Sequence, residues 1–92
     1  MRKFELGQTV VTRGVAEVLE QDAKFSEFVM VSIRRHATGD WGEMCEEDRE
    51  ANDEALQHGG RLFSSYTKGD WKIWIITEWD RSYTTVLFPS EY

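Results

Sequence analysis

RLFSSYTKGDWKIWIITEWDRSYTTVLF, residues 61–88, decides how this chain folds. Three runs rich in β-branched and aromatic residues, RLFSSY (61–66), WKIWIITE (71–78) and YTTVLF (83–88), are separated by TKGD and WDRS. Gly, Asp and Ser in the breaks are turn formers, and β-branched and aromatic residues fit a pleated surface. Breaks this short can only reverse the chain, so the runs form a three-stranded antiparallel meander. Pro89 has no amide proton to donate and closes the last strand. In the central run, Lys72, Trp74, Ile76 and Glu78 share one face and Ile73, Ile75 and Thr77 the other. Large apolar groups lie on both faces. The expectation is that Trp74 and Ile76 lie on the helix-covered side.

Upstream, Gln8 to Thr12 is a short β-branched segment that could add a fourth, N-terminal strand. Thr12 stands where an N-cap belongs, and Val15, Val18 and Leu19 give the following short helix an apolar stripe. Asp22 and Ala23 break it. A second helix, with Ser26 as its cap, turns Phe28, Val29 and Ile33 inward and ends at Thr38-Gly39-Asp40, although Val29, Val31 and Ile33 also fit a strand's alternation. Arg34, Arg35 and His36 in its last turn complement the exposed carbonyls as cations. Trp41-Gly42 reads as a hinge. Glu43 to His58 reads as a third helix with a thin Met44, Ala51, Ala55 stripe, stopped by Gly59-Gly60. The fold class is therefore α+β in a single domain spanning residues 1–92, with about three helices packed mainly on one face of the meander.

Charge is concentrated in one place. The net charge is −6. Residues 38–60 hold one base, Arg49, against eight acids, whereas residues 1–37 are near neutral at +1 and residues 61–92 balance. Lone Cys45 cannot form an internal disulfide, which fits a reducing compartment. No run approaches the roughly 18 apolar residues of a membrane span, and no apolar region follows the basic N-terminus as in a signal peptide. A cytoplasmic chain without membrane contact is expected.

Three segments, GDWGEMCEEDREANDEAL, LFSSY and KIWIITEWDRSYTTVLFPSEY, together with the FELGQTVVTRGVAEVLEQ opening, resemble a family of short bacterial plasmid-related proteins. In that family Ala stands where this chain has Trp79, and Leu where it has Phe88. Some members carry the label of a type I restriction enzyme M subunit. A methyltransferase needs a cofactor-binding sheet and a Gly-rich loop, for which this chain has no room. The resemblance implies genomic company, namely mobile elements beside antirestriction-type genes, and no particular activity.

The Glu78–Arg81 turn, with Asp80 and Ser82, could form an acid/base pair or a cation site. The same residues are ordinary turn formers, with Arg81 paired to Glu78 or Asp80. His36, His58 and Cys45 lack the close spacing of a zinc site, and Ser64 and Ser65 have no nucleophile motif around them. No cofactor, metal or catalytic residue is expected. Trp41, Trp71 and Trp79 sit at element ends. They read as core lids or as an exposed patch, and no basic stripe accompanies them for stacking nucleic acid bases. The acidic helix has two readings. It is a solvated face, or Glu43, Glu46, Glu47, Glu50, Asp53 and Glu54 present a surface to a basic partner protein, carboxylates standing in for DNA phosphates. The functional expectation is an accessory protein without enzymatic activity that binds through these acids. A ligand-binding or enzymatic domain built on the Glu78–Arg81 turn, or a purely structural subunit, are the alternatives.

Overall fold

The computed structural model describes residues 2–92. In chain order these form β1 (Gln8–Val11), α1 (Arg13–Gln21), α2 (Ala23–Ala37), α3 (Glu46–His58), β2 (Leu62–Lys68), β3 (Trp71–Thr77), β4 (Tyr83–Leu87) and a single 3-10 turn, Pro89–Glu91. The sheet order is β1-β4-β3-β2. The meander pairs antiparallel, with Ser65 opposite Trp74 and Ile75 opposite Val86. The N-terminal strand pairs parallel with β4, from Gln8 opposite Tyr83 to Val11 opposite Val86. The architecture is thus α+β, with the expected meander and its fourth strand.

The register shows which face the helices cover. Val15, Phe25, Phe28 and Val29 from α1 and α2 pack on Tyr66, Ile73, Ile75 and Val86. Trp74 and Ile76 therefore lie on the opposite face, reversing the expectation from alternation. Trp74 is only half-buried there, between Phe63 (ring centroids 4.9 Å apart) and Tyr92 (5.7 Å). Period-2 alternation separates two faces but cannot name the covered one when both carry large apolar groups.

Several caps differ from expectation. Thr12 occupies the N-cap position of α1, but its side chain caps nothing. The Glu91 carboxylate does this instead, accepting from Thr12 Oγ1 (2.5 Å) and from the free Gly14 amide (3.0 Å). The C-terminal 3-10 turn is thereby tied to the start of α1. Ser26 lies inside α2, and Asp22 is its cap, accepting from the amides of Lys24 (2.9 Å) and Phe25 (3.1 Å). An aspartate satisfies first-turn donors there and ends α1 in the same residue. Helix α3 begins at Glu46 rather than Glu43, so Glu43 and Met44 precede it. Its buried residues are Asn52 and Ala55, while Ala51 is exposed.

Trp41-Gly42 is not a hinge. Trp41 is buried with Ala55 and Leu62 in a second small core. Gly42 bridges Ser65 on the outer edge of β2. Its φ is +73°, and an added Cβ would collide with the Ser65 carbonyl, so only glycine fits. The loop is further fixed by Arg35, whose guanidinium grips Asp40 through two bonds of 2.7 and 3.1 Å and lies over the Tyr66 ring.

Candidate functional site

The acidic segment sits along the β2 edge. Asn52, near the middle of α3, exchanges two hydrogen bonds with the Phe63 backbone: its Nδ2 donates to the carbonyl (2.6 Å) and its Oδ1 accepts from the amide (3.1 Å). A primary amide carries a donor and an acceptor side by side, so it imitates the next strand of a ladder. Together with the Gly42 bridge, this closes the β2 edge and fastens α3 to it. The outer side of the helix is left to solvent, and Glu46, Glu47, Asp48, Glu50, Asp53 and Glu54 are all exposed.

Two of the predicted acids also serve the fold. Glu43 accepts from the Thr67 hydroxyl, and Asp53 accepts from Trp41 Nε1 at 3.2 Å. The other carboxylates have no cation beside them. Among the described residues the ion pairs are Arg2–Glu5, Arg13–Glu17, Arg35–Asp40 and Arg61–Glu78, none of which involves α3. Arg49, the only base in the segment, turns away and donates to the carbonyls of Gly42 (2.9 Å) and Met44 (3.0 Å). Its charge pins the loop before the helix. Beside this loop, a shallow cavity of about 550 Å³ lies between α3 and the open sheet face, with Glu43, Asp48, Lys72, Phe63 and Trp74 in its walls. Ser65 lines it too, although its Oγ is buried and has no hydrogen-bond partner.

The Glu78–Ser82 turn has its polar groups engaged within the fold. Asp80 accepts from both the amide (3.1 Å) and the hydroxyl (2.6 Å) of Ser82, which hold its carboxyl below the usual range. Glu78 pairs with Arg61, at 3.6 Å. Contrary to expectation, Arg81 pairs with neither carboxylate. Its guanidinium donates to the carbonyls of Gly60 (2.6 Å), Glu78 (3.0 Å) and Ala55 (3.2 Å), bonding the β3–β4 turn to the end of α3. Arg81 holds φ at +59° to do so. Of the three tryptophans at element ends, Trp41 is buried, Trp71 is half-buried against Phe25 and Phe28, and Trp79 is exposed.

His36, too, stands elsewhere than its sequence neighbours imply. It is fully buried, and burial, aided by the Arg81 charge, pushes it down to about 3. It is neutral and adds no cation to the end of α2. Its Nδ1 lies 2.6 Å from Ser64 Oγ and its Nε2 2.9 Å from Thr77 Oγ1. Thr77 Oγ1 is 2.7 Å from Thr84 Oγ1, which donates to the Leu6 carbonyl at 2.7 Å. One end of this chain fixes every proton. The Leu6 carbonyl can only accept, so it takes the Thr84 proton. Thr77 must then donate to Thr84, His36 Nε2–H to Thr77, and Ser64 to His36 Nδ1. A serine–histidine contact of this geometry would suit a nucleophile, but both side chains are sealed from solvent, so no substrate reaches them. The chain is a structural strap from α2 across β2, β3 and β4 to the segment before β1.

Among the described residues no group of three or more His, Cys, Asp or Glu side chains is arranged to hold a metal ion, and no helix is long and apolar enough to cross a membrane. No protein-family model, curated protein or solved structure matches the chain.

Proposed function

We propose that this chain is a non-enzymatic accessory protein of a bacterial mobile element that binds a basic partner protein through the acidic helix α3. The observation that carries this reading is the state of its carboxylates. Glu46, Glu47, Asp48, Glu50 and Glu54 are exposed without a cation, and the one nearby arginine is spent on backbone carbonyls. Like charges at i, i+4 destabilise a helix by a few tenths of a kcal/mol, so Glu46, Glu50 and Glu54 weaken the isolated fold. A basic partner relieves that repulsion. These three are spaced about 6 Å apart along the axis, a rigid row of anionic groups held by Asn52 and Arg49. Such a row stands in for phosphates on a protein that binds nucleic acid, and it repels nucleic acid itself. The resemblance to plasmid-related proteins supports the mobile-element context.

The test is affinity capture with wild type and a Glu50→Lys/Glu54→Lys variant at low and at raised salt. Both positions are exposed and lie beyond the first turn, where acids support the helix dipole. The reading expects a captured basic protein to be lost from the variant at low salt, and from wild type as salt rises. Equal retention by both proteins would reduce the acids to a solvated face.

A further inference from the structure

The two edges of the sheet are finished differently. The β2 edge is closed by the Gly42 bridge and the Asn52 clamp. Among the described residues nothing covers the β1 edge in this way. Parallel pairing with β4 uses alternate residues: the Gln8 amide donates to Ser82 (3.1 Å) and the Thr12 amide to Val86 (3.1 Å). By the same period Val10 faces β4, and Thr9 and Val11 point their N–H and C=O groups outward. The four-residue strand reads QTVV, short but without the charge, proline or bulge by which sheet edges are usually protected. Val11 is 37% exposed, and Thr9 shares a groove with Met30, which is 60% exposed, and Ile33.

We infer that β1 is a self-association edge, paired antiparallel with β1 of a second copy. The pattern of free groups is self-complementary, so a second copy fits it. A twofold axis through Val10 sets Thr9 against Val11 of the second copy and Val11 against Thr9. All four outward N–H groups then meet all four outward C=O groups, giving four hydrogen bonds and one continuous eight-stranded sheet. Val10 meets its own copy on one face, and Thr9–Val11 pairs form on the other, both favourable cross-strand combinations. Charge agrees with this arrangement. The joined strands are uncharged, the groove beside Thr9 carries Arg2 and Arg34 and, among the described residues, no acid, and each acidic α3 sits at the far edge of its own sheet. A contact of this kind is isologous and closes at two copies. It uses neither α3 nor its acids, so it stands independently of the proposed function.

Sedimentation equilibrium from roughly 1 μM to 1 mM tests it. Wild type should approach twice its 10.8 kDa mass, and the association should not weaken with salt, unlike binding through α3. Thr9→Pro removes an outward donor and leaves the β4 ladder intact. In each dimer it deletes two of the four bonds, an expected weakening on the order of 10- to 30-fold. Val11→Lys keeps the backbone groups and charges the edge, and should also favour the monomer. It decides the matter if the proline variant does not fold. Thr9 and Val11 amides should exchange more slowly as protein concentration rises. A wild type that stays monomeric throughout overturns the inference and leaves a strand from another protein as the occupant. A dimer unaffected by both variants, or one in which those two amides stay unprotected, overturns it as well.

Discussion

Lowering the pH from 7 to 5 should cost this fold about 2 kcal/mol through His36 alone. The ordinary value of the imidazole is 6.5, and burial holds it at about 3 in the folded chain. Between those values the unfolded chain binds a proton that the folded chain does not, so stability falls as pH falls. The loss begins near 6.5, reaches about 2 kcal/mol at pH 5 and about 4 kcal/mol at pH 3. Protonation would put a second N–H on Nδ1, where Ser64 already donates, and would place a charge among the rings of Phe4 and Trp41. Asp40, Asp80 and Glu91 are held low by hydrogen bonds, from Arg35, Ser82 and Thr12 respectively. The stabilisation they contribute is lost only as pH falls through and below their ordinary values of 3.8, 3.8 and 4.5, so the interval from pH 7 to 5 isolates the histidine. Urea unfolding of wild type and His36→Gln at both pH values reads the difference. Glutamine retains one donor and one acceptor for Thr77 and Ser64, and whatever it costs in packing cancels between the two pH values. Wild type should lose about 2 kcal/mol more than the variant. Equal losses would show that His36 is accessible or charged in the fold. Nitrogen chemical shifts should independently show the proton on Nε2, and a proton on Nδ1 would refute the strap as drawn.

Three further substitutions follow from single contacts. Asn52→Ala leaves the Phe63 amide and carbonyl unpaired at the β2 edge and should destabilise by about 2 kcal/mol in denaturant unfolding. Ser65→Ala removes a buried hydroxyl without a partner, so it should raise the melting midpoint, with a gain of about 1 kcal/mol. Glu91→Ala unfastens the C-terminus from the start of α1; the lost cap should cost about 1 kcal/mol and speed amide exchange in the first turn of that helix.

The meander was legible because its strands are locally consistent: β-branched and aromatic runs broken by turn formers need no distant partner to be recognised. The acidic run was legible for the same reason, and its exposure matches a simple count of charges. What escaped are residues whose role depends on partners far along the chain. Glu91 caps α1 across 77 positions from Gly14. Asn52 in an acidic helix looks like one more solvated polar residue, yet it is buried and imitates a strand. His36, between two arginines and an alanine, reads as a surface cation until β2 and β3 supply Ser64 and Thr77. The covered face of β3 was not legible because both faces carry large apolar groups, and alternation alone does not say which side a helix occupies. Arg81 was read as half of an ion pair because its neighbours are acidic. Its guanidinium instead donates to the Gly60 carbonyl just past the helix and to the Ala55 carbonyl in the last turn of α3.

The central claim, that α3 is an interaction surface made by unneutralised carboxylates, is tested most directly by association kinetics. The captured basic partner would be measured against wild type and Glu50→Lys/Glu54→Lys over a series of salt concentrations. Charge steering predicts a wild-type association rate that falls steeply with salt, a slower and flatter profile for the variant, and convergence of the two at high salt. Superimposable profiles for the two proteins would contradict it.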